Sequence, residues 1–506
     1  MKKRKKIILS SITGALALAL AGGGFWAYKT FVPQETPIDK NATVASNFYQ
    51  AVNKDWLLKA KIPADSPSID SFYTLDEDVK GKLKKDIKNL GEGKESSDIT
   101  GMSEFITFYK AASDYKQREK DGLEPLKPYL KEIEDIKDLN DLANKSASLT
   151  DKGIPIPFGY DVGTNAENTS QKQIQLTPPS ILLPDVSIYK DEASKKQYLT
   201  PIETATQKAL EMLGYSEKNS KRIVKEALEF DEIIAKYSLS NEEMSESKNL
   251  VHPKTAEEIN AYSGSFKLYD VIKGIMGRDL ETINVPNTKY FENYSKVVNQ
   301  DNFSKIKSWM LVQEAMAASN SLTEDYRLNF QSISMAIMGT QKPISKEDTV
   351  YEMSVNLFSD VMSVYYGRKY FGEEAKTDVT GMIDKIKNVY RGRLQQNDWL
   401  TEETRNKAIE KLDKMKVFVG YQEDVDPGTK ELHLDPNKSF FELSEDIAQF
   451  GKRYTIEHFD EPIDKNKWSG SAFDINAYYN PESNSINFPA GILQAPFYDK
   501  NQSTEK

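Results

Sequence analysis

Apolar residues recur at three- and four-residue spacings through most of the chain, which is the period of helices with one buried face. The pattern predicts helices over Glu77–Leu90, Met102–Ala112, Leu126–Ile136, Pro201–Tyr237, Ile306–Asn320, Tyr326–Met338, Tyr351–Tyr370 and Ala375–Gln396. Thr200, Pro201 and Glu203 supply a start signal for the fourth of these. Gly214 offers it a place to divide. Gly339 and Pro343 stop the sixth. Thr401, followed by acidic residues, opens a further helix whose apolar face runs through Ala408, Leu412 and Met415 to a stop at Gly420. Near the start, Phe48, Tyr49, Val52 and Trp56 form one more helical stripe, expected to face a core.

Two stretches break the helical period. Residues 153–186 hold Pro155, Pro157, Pro178, Pro179 and Pro184 with alternation at Gln173-Ile174-Gln175-Leu176, and read as short strands and loops. Residues 476–499, NAYYNPESNSINFPAGILQAPFYD, read as strands at Ala477–Tyr479 and Ser485–Phe488 around a turn of Asn, Pro and Ser. Pro489 and Gly491 end the second strand, one lacking an N–H and the other a Cβ. The fold class is therefore mainly α with small β elements, an α+β chain.

Composition bounds the rest. A length of 506 residues exceeds one compact core and implies two or three domains. Hydrophobic residues at 39% and charged residues at 28% are globular values. With no cysteine, disulfides, thiolate metal sites and cysteine nucleophiles are excluded. A net charge of −10 with five cationic residues gathered at 2–6 leaves an acidic body, which argues against a nucleic-acid partner. Residues 7–28 carry no charge and are long enough to span a bilayer as a helix. With the basic cluster before them, residues 1–33 read as a signal-anchor, the N-terminus cytoplasmic and the body extracellular. Secretion after signal cleavage is the alternative. Residues 34–45 are a tether.

Several separated blocks resemble one family. NFYQAVNKDWLLKAKIPAD at 47–65 matches the opening of the neprilysin-like metallopeptidases, peptidase family M13, at Phe48, Tyr49, Val52, Asn53, Trp56, Ile62, Pro63 and Asp65. The stretch from YYGRKYFGEEAK to KVFVGY at 365–421, FDEPIDKNKW at 459–468, and above all NAYY with FPAGILQ and PFYD at 476–499, are similar in the same order. The resemblance implies a two-lobed, mainly helical ectodomain with a central cavity. It assigns 46–255 and 441–506 to a catalytic lobe and 256–440 to a helical capping lobe. It implies a membrane-anchored zinc endopeptidase that cleaves peptides on the amino side of hydrophobic residues. Asn476 and Ala477 match the pair that holds the peptide backbone, and Ile492 and Phe497 match residues lining the hydrophobic pocket.

The family's metal site needs two histidines four apart on one helix face, with a glutamate beside them. Here only His252, His433 and His458 exist, and the nearest two are 25 positions apart. No catalytic or metal-ligating residue is assigned within the chain. Zn2+ is expected for the complete family protein, with its ligands in a C-terminal part of the catalytic lobe that these residues do not include, or on a complementing chain. The chain by itself is expected to be inactive. The alternative is a non-catalytic surface binding protein or pseudoenzyme of the same fold.

Overall fold

The computed structural model describes residues 38–503 apart from 265, 469 and 500. The expected anchor at 7–28 lies outside them. Among the described residues no helix is long and apolar enough to cross a membrane. The chain is mostly helical, with two small sheets, and folds as two compact units.

Among the described residues, the first unit comprises 38–69, 116–163 and 173–344. Its strands are β1 (Gly159–Thr164), β2 (Lys172–Thr177), β3 (Pro253–Lys254) and β4 (Ile283–Asn284), in the order β1-β2-β4-β3. Its core is a layer of long helices. Glu217–Tyr237 packs along Phe303–Ala317, and Glu192–Met212 along Glu324–Met338. Phe230 meets Trp309 edge-on at 5.8 Å. The helix expected to start at Pro201 starts at Glu192, because the Asp191 side chain accepts the Ser194 N–H at 3.1 Å and caps it more than two turns earlier. Pro201 lies inside the helix. The expected division at Gly214 is observed: its φ of 98° is left-handed, and the next helix begins after the Ser216 cap.

The Phe48–Leu57 helix forms, with its start capped by Asn47, but buries none of its residues. Phe48, Tyr49, Val52 and Trp56 are exposed. The stripe expected to face a core has no covering element among the described residues.

The second unit comprises 70–115, 164–172 and 345–506. The Ser71–Gly91 helix is capped by Asp70, which accepts the Tyr73 N–H at 2.7 Å, and buries Leu75, Val79, Leu83, Ile87 and Leu90. Phe105 and Phe108 from Met102–Ser113 pack on Phe358 and Phe440. The 401–420 stretch splits. Its helix ends at Asp413, and Lys416–Gly420 becomes strand β5. β6 (Tyr478–Asn480) and β7 (Ser485–Pro489) complete a sheet of order β5-β7-β6. The β5–β7 pair is parallel, Val417 opposite Ile486 and Val419 opposite Phe488. Val379 and Ile383 of the Gly372–Gln395 helix cover one face of it against Val419, Ile486 and Phe488.

The chain changes units at 69/70, 115/116, 163/164, 172/173 and 344/345. The reason is helix pairing: elements between 256 and 344 pack on those between 116 and 255, while 345–440 packs on 70–115 and on β7.

Candidate functional site: an open strand edge beside an aromatic pair

The hairpin at the end of the second unit forms as its turn residues dictate. The Asn480 side chain accepts the N–H of Glu482 (2.9 Å) and of Ser483 (3.3 Å). Asn484 takes the left-handed φ of 49° that a short polar side chain tolerates, and donates to the Lys411 carbonyl at 2.8 Å. Strand β6 then pairs antiparallel with β7, Tyr478 opposite Asn487 and Tyr479 opposite Ile486. Among the described residues β6 is an edge strand of this sheet, with β7 on one side. An edge strand presents backbone donors and acceptors with which an extended chain can pair.

Asn476 and Ala477 run into this edge and are exposed. The Asn476 side chain folds back to accept its neighbour's N–H, Ala477 N, at 2.8 Å. The following loop is held tightly. Pro489 ends β7, Ala490 N–H bonds Gly420 O and Gly491 N–H bonds Ala472 O, both at 2.8 Å. A Cβ on Gly491 would stand 2.6 Å from the carbonyl oxygens of Phe473 and Asp474, so only glycine fits. Gln494 fastens the loop: its amide donates to Tyr366 Oη (3.1 Å) and Gly491 O (2.7 Å), and its oxygen accepts from Lys82 Nζ at 3.4 Å. Its carbonyl takes the N–H of Phe497 and of Tyr498.

Of the other two expected site residues, Ile492 is half-buried in this loop, and Phe497 is 43% exposed. The Phe497 ring packs on Phe72, itself 48% exposed, with centroids 4.8 Å apart. All four residues thus fall on one hairpin and the loop after it. Phe72 was not singled out from sequence. It lies three residues before Leu75 on the helical stripe, so its pattern reads as core; only the structure leaves it at the surface. The Asp474 carboxyl, two residues before Asn476, is pushed up by burial and then by the nearby Asp76, against the Ser471 N–H.

The three histidines do not converge. His252 is tied by its backbone to Asn284 at 2.6 Å in the first unit. His433 is exposed, 3.8 Å from Glu104. His458 stacks on Tyr454 at 3.9 Å and bonds that residue's carbonyl through Nδ1. Among the described residues no three His, Cys, Asp or Glu side chains are grouped to hold a metal ion. The donors present do not fit a zinc site.

Solved structures share the fold. PepO from Lactobacillus rhamnosis shares the fold with a TM-score of 0.86, over 91% of this chain and 73% of that one, at 24% identity. The Mycobacterium tuberculosis zinc metalloprotease Zmp1, solved with an inhibitor, follows at 0.81, 93% and 71%, at 22% identity. In sequence, a neutral endopeptidase of Lactobacillus helveticus is 33% identical over 466 residues, 92% of this chain and 72% of the relative. One from Lactococcus lactis subsp. lactis is 31% identical over 468 residues, 92% and 74%. Two family models, both described as peptidase family M13, match residues 44–422 and 476–506. The chain belongs to peptidase family M13, and its function class is that of a peptidase.

Proposed function

We propose that these 506 residues form the peptide-holding part of a membrane-anchored, extracellular zinc metalloendopeptidase that cleaves on the amino side of hydrophobic residues. The observation carrying this is the position of β6 at the edge of its sheet, followed by the exposed Phe72–Phe497 pair. A peptide added to β6 gains backbone hydrogen bonds whatever its sequence. Asn476 and Ala477 hold its main chain, and Ile492, Phe497 and Phe72 take up a hydrophobic side chain. The second unit is the substrate-holding one. Residues 7–28 supply the anchor.

Among the described residues no group of histidine and acidic side chains fits zinc, and the hairpin accounts for peptide capture. One observation, the scattered histidines, favours a second reading, a surface protein of the same fold that binds peptides without cutting them.

The test is made on the native product of the cells that express it. Bound zinc is measured by mass spectrometry, together with cleavage of a peptide containing a single internal phenylalanine. About one zinc per protein and chelator-sensitive cleavage before phenylalanine are expected. A zinc-free protein that retains the peptide intact would replace the peptidase reading with the second one.

A further inference from the structure

Strand β6 spans only Tyr478–Asn480 and lies at the edge of its sheet. So short an edge strand frays unless its end is fastened. Its end is the 480–484 turn, and a distant part of the chain holds that turn. Thr164, the last residue of β1, and the connection after it through Lys172 belong to the second unit. The Thr164 hydroxyl donates to the Glu482 carboxylate in the turn, Oγ1 to Oε2, at 2.7 Å.

The connection that follows Thr164 is internally bonded and separately anchored, so the hydroxyl is offered from a fixed base. Asn165 N–H bonds Gln171 O at 2.9 Å and closes it. The Asn165 side chain accepts from Glu167 N–H (2.9 Å) and Asn168 N–H (3.3 Å), and the Asn168 side chain from Ser170 N–H (3.2 Å). These are the local bonds by which asparagine fixes a turn. Three contacts join the connection to the stretch before β6. Ile463 N–H bonds Ser170 O at 3.0 Å, Lys465 Nζ bonds Thr169 Oγ1 at 2.7 Å, and Lys172 Nζ bonds His458 O at 2.5 Å. That stretch is fastened to the start of β5, where Asn466 Oδ1 accepts from Lys416 Nζ at 2.6 Å. At the other end of the turn, Asn484 donates to Lys411 O and accepts the Tyr479 hydroxyl at 3.0 Å. The turn is thus pinned at Glu482 by Thr164 and at Asn484 by the helix before β5.

We propose that Thr164 is a positioning residue for peptide capture: through Glu482 it sets the 480–484 turn, and with it the line of the β6 edge to which an extended peptide adds. The proposal rests on the peptide-capture reading of the hairpin and deepens it. Hydrogen bonds to an added strand weaken steeply as donor and acceptor move out of line. A looser turn therefore lowers peptide affinity first. Fold stability depends on it little, because neither Thr164 nor Glu482 is buried.

The test is made on variants of the native product with a labelled, non-cleavable peptide holding one internal phenylalanine. Its dissociation constant is read by fluorescence anisotropy, beside the melting temperature. Thr164→Val removes the hydroxyl and should weaken binding about three- to tenfold, the usual worth of one hydrogen bond. The melting temperature should stay within about 2 °C. Thr164→Ser keeps the hydroxyl and should bind as the unaltered protein does. Glu482→Ala should lose as much as Thr164→Val, and the double variant no more than either, as for two residues acting through one bond. Unchanged affinity in Thr164→Val, an equal loss in Thr164→Ser, or additive losses in the double variant overturns the proposal and leaves peptide capture standing. So does a loss matched by a large fall in melting temperature, which would mark Thr164 as a support of the fold alone. If the unaltered protein binds no such peptide, the capture reading falls and this proposal with it.

Discussion

Replacing Gly491 by alanine puts the argument for the substrate loop at most risk. The new methyl would sit 2.6 Å from two backbone oxygens, Phe473 O and Asp474 O. Neither can rotate away, so the chain itself must move. Overpacking of this kind costs about 1–3 kcal/mol, and backbone neighbours push it to the upper end. Moving the loop also strains the Gly491–Ala472 bond of 2.8 Å, worth about 1 kcal/mol. The sum is roughly 3–4 kcal/mol, or a fall of about 6–15 °C in the melting temperature of a unit this size. Gly381 and Gly392, in the Gly372–Gln395 helix, have nothing within 4 Å of the same methyl. Alanine there should stabilise by about 0.5–1 kcal/mol. Scanning calorimetry of the three variants, with limited proteolysis to follow the 489–498 loop, gives opposite signs from the same chemical change. A Gly491→Ala protein melting with the unaltered one would show that the loop is not held as described, and the placement of Ile492 and Phe497 would fall with it.

Three further outcomes are expected. Phe72→Ala and Phe497→Ala should each weaken binding of peptides with a hydrophobic side chain several-fold in the native product. A double-mutant cycle on stability should show a coupling of about 0.5 kcal/mol, the low end for an aromatic pair because both rings are half-exposed; no coupling would separate the two rings. Burial works to raise the Asp348 carboxyl, yet bonds from Lys84, Ser345 and Lys80 hold it down to about 2. A depressed carboxyl stabilises above its unfolded value and loses that contribution as pH falls from about 4 to 2. Acid unfolding of the second unit should thus be shallower in Asp348→Asn by about 1–2 kcal/mol after solvent screening, and equal pH slopes would refute the network. Lys416→Pro should unzip the β5–β7 pairing, where Lys416 N–H bonds Asn484 O at 2.9 Å, and the infrared signal of the sheet should fall.

Much of the helical layout was legible because its signals are local. Ser216 and Thr401 cap where their side chains dictate, accepting from Asn219 and Thr404, and the 480–484 turn forms from its own asparagines. Pro201 misled because proline at a helix start and proline inside a helix leave the same mark; the Asp191 cap ten residues earlier decided between them. Lys416–Gly420 was read as helix because its partner, β7, lies some seventy residues away and no local period records that pairing. Periodicity says that a helix has a buried face, not which helix buries it. The hairpin residues Asn476, Ala477, Ile492 and Phe497 came from family resemblance, whereas Phe72 needed the third dimension.

The interrupted course of the chain bears on its synthesis. The second unit opens with the Ser71–Gly91 and Met102–Ser113 helices, but the elements that bury them start near residue 345. At roughly 5–20 residues per second, a ribosome needs on the order of ten to fifty seconds to produce them. For that time Leu75, Val79, Phe105 and Phe108 have only each other's helices to pack on, lacking Phe358 and Phe440, while the intervening first unit is being made. The nascent chain is therefore expected to depend on a chaperone that binds apolar helices during this interval, and slower translation after residue 115 should increase that dependence.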